Sequence, residues 1–144
     1  MYKIEKTAYG LRVTMGGVYS ANEIRTYIEE KEKLISEITG PFSMLVDLRS
    51  AIPPDRHDQK LLEESQIRMK RQNLLRMAII TRSPVVHMRG NQIAIDAGID
   101  DRTRIINATA ISEWETLALE WIVDGIEPEL SVDSEPWPDR KHEE

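Results

Sequence analysis

An α/β domain built on a mixed, mostly parallel sheet is what this chain of 144 residues predicts, on three observations. Two nearly continuous apolar runs, Phe42 to Leu48 and Arg76 to Thr81, have the character of strands covered on both faces. Stretches of helical periodicity with their own start signals alternate with them. The chain also opens on a period-two segment, which reads as a hairpin.

Along that hairpin Tyr2, Ile4 and Lys6 alternate with their neighbours, Tyr9-Gly10 interrupts, and Leu11, Val13 and Met15 alternate again until Gly16-Gly17. Ser20-Ala21-Asn22-Glu23 then reads as a capping box, the serine accepting a backbone N–H and the glutamate reaching back to the cap. Ile24, Tyr27, Ile28, Leu34, Ile35 and Ile38 follow at helical spacing, with Glu29 to Lys33 as the solvated face and Gly40-Pro41 as the stop. The strand Phe42 to Leu48 comes next, bounded by Arg49-Ser50. Ala51 to Asp55 contains two prolines and cannot extend a sheet, but Asp55 is a natural cap for a second helix from Arg56 to Asn73. Leu61, Leu62, Ser65 and Met69 form its weaker apolar side.

After the strand Arg76 to Thr81, Ser83-Pro84 starts a third helix, with serine as cap and proline where a missing N–H costs nothing. Val86, Gly90, Ile93, Ala94 and Ala97 share one face of it, and Gly98 closes it. Arg104-Ile105-Ile106 is a short last strand. Ser112-Glu113-Trp114-Glu115 reads as a second capping box, and Trp114, Leu117, Ala118, Trp121 and Ile122 as the stripe of a last helix, the tryptophans being core anchors. The predicted order is ββαβαβαβα, with helices covering the sheet.

Net charge is −6, concentrated at the C-terminal end, where residues 127–144 hold seven acids against Arg140 and Lys141. Residues 1–126 are therefore read as one domain, nearly neutral, and residues 127–144 as an acidic, proline-containing, flexible tail. Trp137 is its exception, a docking residue for the domain or for the neighbouring subunit of a homodimer. An acidic total argues against nucleic acid as a partner. The basic run Arg68 to Arg71 reads as a solvated helix face. With no cysteine, there is no disulfide framework, thiolate metal site or thiol nucleophile. The opening residues lack the pattern of a signal peptide and no apolar run reaches the roughly 20 residues of a membrane span, so a cytoplasmic protein without a transmembrane segment is expected.

Chemistry-bearing motifs are scarce. The chain has no G-x-G-x-x-G, no P-loop, no G-x-S-x-G and no H-E-x-x-H, so no cofactor, no metal and no catalytic residues are assigned. His57 lies between Asp55 and Asp58, but neighbours on one helix do not face each other, so this trio is expected to converge on nothing unaided. A hydrolase using His57 is the weakest reading. In parallel sheets ligands sit beyond the carboxyl ends of strands, near helix N-termini. That rule singles out Arg49, Asp55, Arg56, His57, Arg82 and Ser83 as a candidate surface for a partner or an anionic group.

The order of elements, with Leu11-Arg12-Val13-Thr14 and Gly17 in the hairpin, Leu45-Val46-Asp47-Leu48-Arg49 in the central strand, Met77 to Ile80 in the next and Trp114 to Trp121 in the last helix, resembles the STAS fold. More narrowly it resembles the SpoIIAA-like, or STAS/SEC14, family of small bacterial proteins, from Tyr2 to about Asp124. In antagonists of that fold a serine at the start of the second helix is phosphorylated by a partner kinase. Here Asp55-Arg56-His57 stands at that place and the acceptor hydroxyl is missing. The phosphorylation switch therefore does not carry over, and the leading reading is a non-catalytic binding or regulatory domain that recognises a protein partner through the surface near the second and third helix starts. The SEC14 side of the resemblance implies the alternative, a carrier of a small lipid-like or anionic ligand held between sheet and helices.

Overall fold

The computed structural model describes residues 1–17 and 20–129. The acidic stretch from residue 130 onwards, with Trp137, lies outside the described residues, as do Val18 and Tyr19.

Among the described residues five strands form one sheet in sequence order: β1 Tyr2–Thr7, β2 Gly10–Gly17, β3 Phe42–Ala51, β4 Leu74–Thr81 and β5 Thr103–Asn107. β1 and β2 are the antiparallel hairpin, and every later pair is parallel. Four helices complete the expected order: α1 Ala21–Ser36, α2 Arg56–Arg71, α3 Pro84–Ala97 and α4 Trp114–Leu119, the last continuing as a π-helical turn, Glu120–Asp124. Parallel neighbours need crossovers, and crossovers of one hand between successive strands put all their helices on one face. Accordingly α1, α2 and α3 cover one face and α4 the other.

Side-chain alternation sorts the core in the same way. Leu11, Val13, Met15, Met44, Val46, Met77 and Ile79 meet the three crossover helices, whereas Leu45, Ala78, Ile80 and Ile106 meet α4. Because β3 and β4 feed both cores, they must be apolar at consecutive positions, which is the signal their sequence carries. At Gly10 the backbone of β2 comes so close to β3 that a Cβ would sit 2.2 Å from the Ser43 carbonyl oxygen. Only glycine fits there.

Helix starts divide into those that behave as the sequence predicts and those that do not. Asp55 accepts the Asp58 N–H at 2.8 Å and Ser83 the Val86 N–H at 3.3 Å, with Pro84 opening α3 and Gly98 closing it in the left-handed conformation. Both predicted capping boxes are absent. Ser20 occupies the cap position without a side-chain bond, and the Glu23 carboxylate, instead of reaching back to the cap, pairs with the amino group of Met1 at 2.8 Å. Ser112 bonds the Glu113 carboxylate, and α4 begins one residue later than its box requires. Boundaries also move: β3 runs on to Ala51, and α2 stops at Arg71, with Asn73 left-handed at φ 74°.

Candidate functional site

The three-helix face encloses a cavity of about 70 Å3 between the sheet and α1, α2 and α3. Its floor is Met44, Val46, Met77 and Ile79 of the central strands, and its walls include Leu62 and Met69 of α2 and Ile93 of α3. Among its more exposed lining residues are Ile52 and Pro54 of the linker before α2 and Arg89 of α3, which mark its mouth. The space is several times the roughly 10–15 Å3 that a single water needs, so it admits a small ligand of a few non-hydrogen atoms. Four methionines line it, Met15, Met44, Met69 and Met77, and their unbranched side chains can repack around something larger.

Three polar side chains interrupt this apolar lining. Lys31 of α1 is 2% exposed, and its Nζ donates to Ser65 Oγ of α2 at 2.6 Å. The ring of Tyr27 lies 5.1 Å from the amine, and among the described residues no carboxylate pairs with it. The nearby Glu32 is taken by Arg68 at 2.6 Å. Burial pushes the Lys31 ammonium down from the ordinary lysine range to about 7, because a charge without a counter-ion is disfavoured in an apolar setting. Gln66, the neighbour of Ser65, has its side-chain oxygen buried without a hydrogen-bond partner. Arg89 stands at the mouth and donates to the Pro54 carbonyl, tying the linker to α3. Outside the mouth, Arg89 also borders a shallow cleft with Arg56, Gln59, Lys60 and Glu63, three cations against one acid.

Lys31 belongs to the segment that the sequence reads as a solvated face, and its burial corrects that reading. The signal lay in the spacing: Ile24, Ile28, Lys31, Ile35 and Ile38 form one helical stripe, so the lysine sits where an apolar residue is due. Gln66 stands likewise between Leu62 and Met69 on the inner side of α2.

The residues singled out from the sequence are distributed over both faces. Arg49 turns to the α4 side, where it makes a two-pronged pair with Asp47 at 2.9 and 3.0 Å and lies 4.3 Å over the Trp114 ring. Trp114 is thus only half-buried, a platform for Arg49, while Trp121 is the core anchor, its indole N–H donating to the Met77 carbonyl at 3.1 Å. Arg56 joins the cleft at the pocket mouth, Arg82 is exposed before α3, and Ser83 is occupied by its cap.

Asp55, His57 and Asp58 do come together, their ligand-type atoms within 4.8 Å of one another, against the expectation that they converge on nothing. Asp55 precedes the helix in extended backbone and folds over its first turn, which brings it to Asp58, while the His57 ring lies 3.6 Å from the buried Asp58 carboxylate. The trio sits over the positive end of α2, a setting that favours carboxylates and opposes a cation, so it reads as a cap.

No family model, curated protein or solved structure matches this chain. Among the described residues no helix is long and apolar enough to cross a membrane.

Proposed function

We propose that the protein is a non-catalytic binding domain that takes a small amphipathic molecule into the pocket beneath α1, α2 and α3. The observation that carries this reading is Lys31: an amine at the wall of an apolar cavity, bonded to a hydroxyl and paired with no carboxylate among the described residues, keeps donor capacity for a ligand. The ligand's apolar body lies against the methionines. An acidic end is served at the mouth by Arg89, with Arg56 and Lys60 adding to the positive field.

The finer fold assignment, STAS/SpoIIAA-like, belongs to this proposal and is supported by the order ββαβαβαβα and by the Leu45-Val46-Asp47-Leu48 strand. Recognition of a protein partner near the starts of α2 and α3 is the second reading. It is favoured by the exposed apolar side chains Ile52, Val85 and Met88 beside the same mouth.

Butanoate and butan-1-ol test the first reading by thermal shift and by changes in the methionine methyl resonances. Both should bind, and Arg89→Gln should weaken butanoate more than butan-1-ol. Ala51→Phe, which narrows the mouth, should weaken both. Methyl resonances unmoved by either compound would remove the pocket reading and leave the surface one.

A further inference from the structure

Resting on the pocket reading above, we propose that Lys31 is a covalent anchor, forming a reversible imine with an aldehyde or ketone whose apolar body fills the cavity. Its Nζ is buried at the cavity wall, and its one hydrogen bond among those resolved is to a hydroxyl, Ser65 Oγ, at 2.6 Å. An ammonium so placed would need a carboxylate, and among the described residues none pairs with it. The neutral amine is the form that suits the site, and it carries the lone pair that attacks carbonyls. The downward shift to about 7 agrees with that geometry.

The step balances within the site. The Lys31 nitrogen forms a bond to the carbonyl carbon, and a proton passes from nitrogen to the former carbonyl oxygen, giving a carbinolamine. Ser65 Oγ can both accept and donate, which suits it to carry that proton. Loss of water, taking the oxygen and one further proton from nitrogen, leaves the imine, and addition of water reverses it. Nothing is oxidised or reduced. The buried side-chain oxygen of Gln66 offers the departing water an acceptor. Cavity size limits the unrearranged site to small carbonyl compounds of a few non-hydrogen atoms.

Among the described residues the other lysines, Lys3, Lys6, Lys33, Lys60 and Lys70, are exposed and serve as internal controls. At pH 7 about one lysine in 2,500 is a free amine in a model peptide, against about half of a lysine whose pKa is near 7.

The test is reductive trapping of the full chain with butanal and cyanoborohydride at pH 7, followed by peptide mapping, beside a thermal shift with butan-1-ol. Lys31 should carry the butyl group at least about tenfold more often than any other lysine. Lys31→Arg and Lys31→Met, checked for folding by circular dichroism, should lose that adduct and keep the weak labelling elsewhere. Binding of butan-1-ol with no preference for Lys31 in the trap would overturn the imine and leave the pocket standing. Absence of both would overturn the pocket as well.

Discussion

Beneath α4 the charged groups that approach the core are matched by opposite charges, whereas beneath α1, α2 and α3 a buried amine has, among the described residues, a hydroxyl and an aromatic ring but no carboxylate paired with it. On the α4 side Asp47 holds Arg49, Arg12 meets Glu115 at 2.7 Å, Arg104 meets Glu127, and the guanidiniums of Arg49 and Arg104 lie on Trp114 and Trp121. Arg76 completes that side by donating to the Ile122 and Val123 carbonyls at the end of the last helix. The three-helix side has the larger core, yet it keeps the empty space and the unmatched amine. A face whose charges are paired over a filled apolar core is a structural one. The face that retains a cavity beside a costly group is where binding energy remains to be gained.

The largest expected effect breaks the closed face. Trp121→Ala removes the central side chain of the α4 core and its bond to Met77, and should destabilise the protein by about 3–5 kcal/mol in urea unfolding. A loss below about 1 kcal/mol would mean that α4 is dispensable to the sheet.

On the open face the sign reverses. Lys31→Met replaces a buried amine by a side chain of similar length and should stabilise the protein by about 1–3 kcal/mol near pH 7, despite leaving Ser65 unpaired. Burial holds the Lys31 ammonium at about 7, below its value in the unfolded chain, so between pH 7 and about 10 the unfolded state binds more protons. The stability of the natural protein therefore rises across that window relative to Lys31→Met, and the gap between them should shrink. A gap independent of pH from 7 to 10 would show that the amine stays charged when buried.

That contrast also marks what the sequence makes legible. Strands β3 and β4 serve both cores and must be apolar without interruption, a constraint visible in any reading of Phe42 to Leu48 and Arg76 to Thr81. The caps of α2 and α3 are local, one side chain bonding three residues ahead, and they too are readable. The start of α1 is not, because Glu23 is drawn away by the amino group of Met1, a neighbour only through the hairpin. Lys31 hides for a different reason: its charge and its acidic neighbours suggest solvent, and only its place on the Ile24 to Ile38 stripe says otherwise. The pocket itself requires three helices and three strands at once, which no local pattern encodes.

A smaller effect sharpens the comparison at the end of β3. Burial alone would raise the Asp47 carboxyl, but the paired Arg49, its backbone N–H and the charge of Arg12 outweigh it and hold the group below the usual aspartate range. Its contribution is thus present above the ordinary carboxylate range and lost as pH falls through the depressed value. Asp47→Asn should cost about 1–2 kcal/mol at neutral pH, and the difference should fade in acid. A deficit that persists in acid would assign the loss to packing.

The smallest effect lies at the rim of the same closed face. Arg104 and Glu127 form a two-pronged pair, but the glutamate is 63% exposed, so water already solvates most of what the pair would gain. Arg104→Gln should cost less than about 1 kcal/mol, and part of that should disappear in 1 M salt, where exposed charges are screened within about 3 Å. The salt series separates the two roles of this arginine. Its ion pair weakens with added salt, whereas its stacking on Trp121, at 4.2 Å over a largely buried ring, is much less screened. If the whole loss vanishes in salt, the stacking contributes nothing and the closed face is held by its apolar core alone. If most of it survives, the cations on Trp114 and Trp121 are part of how that face stays shut.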